Sequence, residues 1–516
     1  MQVDEQMSRR GYTAQRGRCH RHDGTWFQWA VVTCPQEAPI QFGSAFGLPL
    51  PEQLHTMAHM RLLKARQRGV EDPVVVVWNS YNHADPWTRG LRLRSVPAQT
   101  LVHASRHSYV QQTLRDVFRT GRWQWDGEVL RGTKDLDADS RLLLSCLQEA
   151  GQLLVAAWNG PVTTAKLANV DPDKDIVGLG PFALPSLVAA HVQAAVAFNT
   201  SFFVLEEQDF FSEFSRLGDG YGLHIHGGEM FSLPLFRRTA IFVDEQGHKS
   251  MKALGIQDCL VQWHEVQFDL GTFALNEPGE FAIYTRRYGL DQGKALLSTT
   301  PKRPGGLDLI VINRAVVGLK RGGGVVIPQN GFVLSVPETA VPEDQILDRV
   351  LHYQVRGEEV YREAMQAGPR LVQNAEAVAR PGLLQQEEFH RKDTSISGPD
   401  GYGVLPTDFA MDVDVTRAAR TALGWNRNGQ WQVLAVESAN QGIDETGESS
   451  GCTLAEVAEL ALGLGFADAV NLDGGGSTNL QFFGTHLIKP ADRRGMPGAI
   501  FERPVPLIGC IGADYA

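Results

Sequence analysis

Asn471-Leu472-Asp473-Gly474-Gly475-Gly476-Ser477-Thr478 is the most informative stretch of this 516-residue chain. A largely apolar run from Ala467 to Leu472 delivers a carboxylate directly into three glycines and two hydroxyls. Glycine weakens a strand and costs backbone entropy, so a triple belongs where the backbone turns sharply or approaches a ligand. Successive N–H groups in such a turn make an anion-binding concavity, to which Ser477 and Thr478 add donors. An isolated triple glycine reads equally well as a plain turn, so the sequence around it has to decide.

Upstream, Thr453-Leu454-Ala455-Glu456 reads as a capping box opening a helix, with Leu454, Val457, Ala458, Ala461 and Leu462 at helical spacing and Gly463 and Gly465 as the stop. Thr421 to Trp425 and Trp431 to Val436 read as strands joined at Arg427-Asn428-Gly429, an Asn-Gly hairpin signal. The order is hairpin, loop, helix, strand, then Asp473, which places the glycine turn at the end of a buried strand.

Composition bounds the rest. A hydrophobic content of 43% with 21% charged residues describes a globular protein, and a length of 516 exceeds one ordinary domain. The net charge of −11 argues against a general nucleic-acid binder. Cys19, Cys34, Cys146, Cys259, Cys452 and Cys510 are scattered without zinc spacing and are expected as reduced thiols. Residues 1–18 are polar with no apolar signal core, and are expected to be a disordered arm. Phe182 to Phe198 is interrupted by Pro185, Ser186, His191 and Gln193, which makes it core rather than a membrane span. The expected location is cytoplasmic.

Trp26 to Cys34 and Pro73 to Trp78 read as strands, and Glu52 to Arg68 and Leu142 to Leu153 as helices, in an N-terminal unit. Strand-like runs dominate from about Val155 onward. Asp344 to Gln366 is expected as the clearest long helix, ended by Gly368-Pro369, and residues 380–410 as a long surface loop.

Five blocks in this order resemble the phosphodiester glycosidase family. Asn199-Thr200-Ser201-Phe202-Phe203 is similar to its Asn-Gly-Gly-Phe-Phe, and Ala367 to Val372 to its Gly-Gly-Pro-x-Leu-Val. Ala419 to Gly424 matches its Arg-Thr-Ala block, Asn471 to Thr478 its Asp-Gly-Gly-Gly-Ser block, and Arg503 to Pro506 its closing strand. The likeness spans about residues 150–516. Two departures stand out: Thr200-Ser201 replaces two glycines, and Glu437-Ser438 follows the hairpin where the family tends to carry Asp-Gly.

The resemblance implies cleavage of a glycosyl-1-phosphodiester at the anomeric carbon. Such a reaction needs a carboxylate near an oxocarbenium-like transition state. It also needs a clamp for the departing phosphate, which already bears charge. Asp473 is the candidate carboxylate, as nucleophile, base or electrostatic stabiliser; it also reads as a turn cap. Arg420 is the candidate phosphate clamp, since guanidinium binds phosphate bidentately, or else a salt-bridge partner of Asp473 or Glu437. Glu437 is a candidate second carboxylate for acid/base work. Asn199, Thr421, Asn471, Gly474, Gly475, Gly476 and Ser477 are the candidate substrate- and phosphate-binding residues, with an Asx-turn as the plain reading of Asn199.

His224 and His226 face one side of a strand, while His55/His59 and His103/His107 have helical i,i+4 spacing without the Glu of a zinc-protease motif. All read more simply as packed or surface histidines. Asp412 and Asp414 read as solvated loop. No cofactor is firmly implied, although a divalent cation is compatible with the chemistry.

The expected fold is α+β: a mixed β-sheet catalytic domain with flanking helices over 151–516, plus a smaller α/β domain over 19–150. The expected partner is a sugar-phosphate, a nucleotide-sugar or a glycan phosphodiester, with no nucleic acid and no membrane span. The competing readings are a binding protein that kept the fold and lost catalysis, or an N-terminal unit that carries the activity.

Overall fold

The computed structural model describes residues 1–44, 50–67, 69–79, 103–179, 182–203, 218, 220–263, 266–288, 299–328, 331–341, 351–357, 359–380, 383, 386–389, 416–438, 449–491 and 502–512. The chain is mostly β, with 44% in strands and 18% helical, spread over several small sheets around one of eight strands. This overturns the α+β expectation. The helices do not flank a single mixed sheet.

The eight-stranded sheet runs Gln2–Arg9, Tyr12–His20, Trp26–Thr33, Trp431–Val436, Arg420–Asn426, Phe466–Asn471, Arg370–Gln373, Glu376–Ala377, each antiparallel to its neighbour. Residues 1–18 are therefore not an arm, since most of them form the outer hairpin of this sheet. Their polarity reflects an edge strand whose residues are nearly all exposed. The strands Trp26–Thr33 and Ile40–Ser44, read as part of the N-terminal unit, pair with strands from residues 431–436 and 507–511. A unit of its own does form further on, where Val74–Asn79 lies between Leu153–Ala157 and Ile176–Leu179 and shares a core with the helices His103–Thr120 and Ala138–Glu149.

The centre of the sheet is built as the sequence predicts. Asn426 and Gly429 close the hairpin, with Gly429 at φ +73°. Helix Leu454–Gly463 starts at a reciprocal capping box between Thr453 and Glu456 and buries Leu454, Val457, Ala458, Leu460 and Ala461. It packs over strands Phe466–Asn471 and Arg370–Gln373. Each fully buried Leu or Val here stabilises by roughly 1.5–3 kcal/mol. Gly424 fixes the approach of two central strands, because a Cβ there would lie 1.9 Å from the Asp468 carbonyl oxygen.

A second sheet, in the order Thr485–His486, Leu480–Phe482, Val196–Asn199, Leu507–Ile511, Ile40–Ser44, shares the main core with the first. A third has Tyr361–Gln366 at its centre between His224–His226 and Arg238–Asp244. The long helix expected over 344–366 is absent where the chain is described: residues 352–355 and 361–366 are strands. Tyr361 and Glu363 are buried while Arg362 is exposed, the alternation of a strand. Gly368-Pro369 accordingly links two strands. Within 380–410, read as a surface loop, Glu387 and Phe389 are buried. All six cysteines are free thiols. No helix among the described residues is long and apolar enough to cross a membrane.

Candidate functional site

The antiparallel order of the central sheet brings the two leading candidates to the same end of it. Ala422 pairs with Asn471 and Leu423 with Val470. One further bond keeps this register, Leu472 N–H to Thr421 O at 2.9 Å, and the next, Gly475 N–H to Ala419 O at 2.8 Å, is shifted by one residue. Gly474 lies against this edge, where a Cβ would meet Ala419 O at 2.7 Å and the Arg420 Cδ at 3.8 Å. Gly475 turns the chain at φ +58°, left-handed backbone that glycine adopts at no steric cost.

Asp473 is held by its backbone. Its N–H donates to Thr200 O at 2.8 Å and its carbonyl accepts from Asn199 Nδ2 at 2.6 Å. The carboxylate is half-buried, and Oδ1 accepts the Gly474 N–H at 2.8 Å. Arg420 is buried at the start of its strand; Nε donates to Cys452 O at 3.1 Å and Nη2 to Thr416 O at 2.7 Å. Burial pushes the Cys452 thiol up to about 12 although Arg420 pulls it down, so it is a neutral packing group.

Asn199, 1% exposed, is a tie at the strand end. Its Oδ1 accepts from Thr421 Oγ1 at 2.7 Å and from Asn479 N–H at 2.9 Å, while its Nδ2 serves Asp473. Thr421 is spent on that bond. Asn471 donates from Nδ2 to Gly368 O at 3.0 Å. Ser477 is buried and accepts from Arg503 Nη1 at 3.4 Å. The N–H groups of Ser477 and Thr478 close a short 3-10 turn on Gly474 and Gly475 carbonyls. The glycine turn is thus largely self-bonded, with the N–H groups of residues 474, 475, 477 and 478 already used. Three buried polar atoms in and beside it have no hydrogen-bond partner among the described residues: Thr200 Oγ1, Asn471 Oδ1 and Thr478 Oγ1. Buried polar groups left so are costly unless water or a ligand meets them.

Glu437 is buried too, and its Oε2 accepts the Lys489 N–H at 2.9 Å. The other nearby carboxylate, missed in the sequence, is Glu502. It accepts from Ser186 N–H at 3.0 Å and from Asn479 Nδ2 and Gln481 Nε2 at 2.8 Å each. Burial raises its pKa. Glu502 precedes the Arg503-Pro504 block, and nothing local separates it from a solvated glutamate; only the fold gathers its partners.

The histidine pairs fall elsewhere. Burial lowers the His224 pKa to about 4; its Nε2 lies 2.6 Å from Phe42 O, fitting a neutral ring that donates there. His226 pairs with Glu363, and that hydrogen bond raises its pKa. His59 stacks on Trp158. The side chains of His103 and His107, like Asp412 and Asp414, lie outside the described residues. Among the described residues, no three His, Cys, Asp or Glu side chains gather as a metal ion would need.

No curated protein matches the chain. Among solved structures, a hypothetical protein from Synechocystis aligns at 15% identity with TM-score 0.40, covering 97% of this chain and 62% of that one. The chain therefore spans less than two thirds of that protein's length. A putative exported protein from Burkholderia pseudomallei aligns at 15% identity with TM-score 0.37, covering 96% of each chain. The zebrafish N-acetylglucosamine-1-phosphodiester alpha-N-acetylglucosaminidase catalytic domain, auto-inhibited by its pro-peptide, aligns at 16% identity with TM-score 0.23, covering 54% of this chain and 82% of that one. All three scores are too low to carry an argument. The family model for phosphodiester glycosidase matches residues 306–511, which include the Pro369, Arg420, Asp473 and Arg503 blocks. Over residues 306–511, then, the chain matches the model of the phosphodiester glycosidase family.

Proposed function

We propose that this protein hydrolyses a glycosyl-1-phosphodiester at the anomeric carbon, giving a sugar and a phosphomonoester. The observation that carries the reading is that Arg420, which opens strand Arg420–Asn426, and Asp473, two residues past strand Phe466–Asn471, lie at the same end of the central sheet, with the glycine turn following the carboxylate. In the reaction the anomeric C–O bond breaks, its electron pair leaves with the phosphate oxygen, and water supplies the new hydroxyl. The Asp473 carboxylate stabilises the cationic sugar. A second strong acid is dispensable because the leaving phosphate is a good leaving group. Arg420, oriented by the Cys452 and Thr416 carbonyls, would hold that phosphate. Asn199 and Thr421 act as supports for the loop, and Glu437 as a tie to residue 489, so Asp473 is the carboxylate we assign to the chemistry. No step requires a metal.

The test is turnover on a panel of glycosyl phosphodiesters and nucleotide-sugars, by wild type and by Asp473→Asn. Release of a phosphomonoester by the wild type and its loss in the variant support the proposal. If the wild type binds one of these compounds tightly but cleaves none, the protein is a binder with this fold instead.

A further inference from the structure

A polar cleft of about 290 Å³ lies on the three-stranded sheet Val266–Asp269, Cys259–Trp263, His352–Val355, away from the Asp473 loop. The strand alternation buries Val261, Trp263, Phe268 and Tyr353 beneath the sheet and turns Gln262, Gln267, His352 and Gln354 outward. Register lines three of these up: Gln262 pairs with Gln267 on one side and with His352 on the other, making a row across all three strands.

The opposite wall is Arg314, on the tip of the hairpin formed by Lys302–Ile312 and Ala315–Gly323, and Glu229. The tip is fixed in place, because Tyr353 Oη donates to Asn313 O at 2.6 Å and Leu351 N–H to Arg314 O at 2.7 Å. Arg314 and Glu229 are ion-paired at 2.5 Å. The Arg314 Nε is buried with no hydrogen-bond partner among the described residues.

We infer that this cleft binds a neutral sugar. The ion pair cancels the wall's charge, which removes the attraction for a phosphate or carboxylate. Carboxamides present a donor beside an acceptor, the pattern that vicinal hydroxyls satisfy. Met230 and Leu260 add the apolar contact that a sugar's C–H face requires. The volume, near the lower end of small-ligand pockets at roughly 300 Å³, suits a single ring or the end of a chain. On this reading, the site anchors a saccharide independently of any reaction at Asp473, and it does not rest on the proposed activity.

The test uses ligand-detected NMR and calorimetry with glucose, galactose, N-acetylglucosamine and their β1,4-linked disaccharides, with inorganic phosphate as the anion probe. Wild type and Asp473→Asn should bind at least one sugar equally. The double variant Gln267→Ala/Gln354→Ala, whose changes lie on the exposed face, should keep its melting temperature and bind that sugar about tenfold or more weakly. Absence of saturable sugar binding up to tens of millimolar overturns the inference. So does equal binding by the double variant, or phosphate binding that the double variant abolishes while no sugar binds.

Discussion

Glu363, in the middle of strand Tyr361–Gln366, and Asp473, two residues past the end of strand Phe466–Asn471, carry their carboxylates under opposite constraints. Glu363 is 1% exposed and accepts from Phe42 N–H at 2.9 Å, Gly227 N–H at 3.1 Å and His226. Its side chain joins segments that are otherwise separate in sequence. Asp473 is joined to distant segments through its N–H and carbonyl, while its half-buried side chain accepts the N–H of the next residue, Gly474, at 2.8 Å. Where a side chain ties segments together, its loss should appear as stability. Where the backbone does the tying, the side chain can be exchanged and its loss should appear as chemistry.

The sharpest way to break this contrast is Asp473→Asn. Turnover on the best substrate of the panel should fall by roughly 10³-fold or more, while the denaturation midpoint stays near that of wild type. An unfolded variant, or one with full turnover, would erase the distinction. Glu363→Ala should do the reverse. It leaves the buried Phe42 N–H unmet and removes the acceptor of Gly227 N–H and His226, and should cost about 3 kcal/mol in denaturant titrations, with KM unchanged in the folded fraction.

The histidines around Glu363 extend the contrast to pH. His224 has a folded pKa of about 4, below its unfolded value, so its contribution to stability is full above about pH 6.5 and declines as pH falls toward 4. His226, raised by Glu363, works the other way: its contribution is full below the unfolded pKa and fades as pH rises through the folded one. His224→Gln keeps a donor for Phe42 O but cannot charge. It should flatten the acid-side loss, which in wild type reaches up to about 1.4 kcal/mol per pH unit; denaturation midpoints across that range provide the check. The smallest effect is expected at Arg21, which donates to both Glu456 oxygens, Ser450 Oγ and Gly451 O beside the Arg420 anchor. Arg21→Ala should cost about 1 kcal/mol, read as a modest drop in melting temperature.

Much of the centre was legible because its signals are local. The Asn-Gly hairpin, the Thr453/Glu456 capping box and the run into Asp473 each declare themselves within a few residues. Asn199, named as a candidate hydrogen-bonding residue, is a buried tie between Thr421, Asn479 and the Asp473 carbonyl. What failed depended on distant partners. Residues 1–18 look solvated because the edge strand Gln2–Arg9 pairs on one side by backbone alone, which side-chain polarity does not report. Residues 361–366, expected as the end of a helix, form a strand whose Glu363 is a buried acceptor for Phe42 and Gly227, partners distant in sequence. Glu502 stayed hidden for the same reason.

The pairing of Trp26–Thr33 with Trp431–Val436 also governs how the chain is made. Thr33 and Gln432 are 399 residues apart, yet their side chains are bonded within one sheet. During synthesis the first three strands must wait as an exposed meander until residue 436 emerges, while the intervening α/β unit and third sheet are built from closer neighbours. The opposite edge of that meander, Gln2–Arg9, carries Asp4, Glu5 and Arg9 facing water, charges that discourage pairing with another nascent chain on that side. The same N-terminal hairpin that finishes the sheet therefore also guards that side of it during assembly.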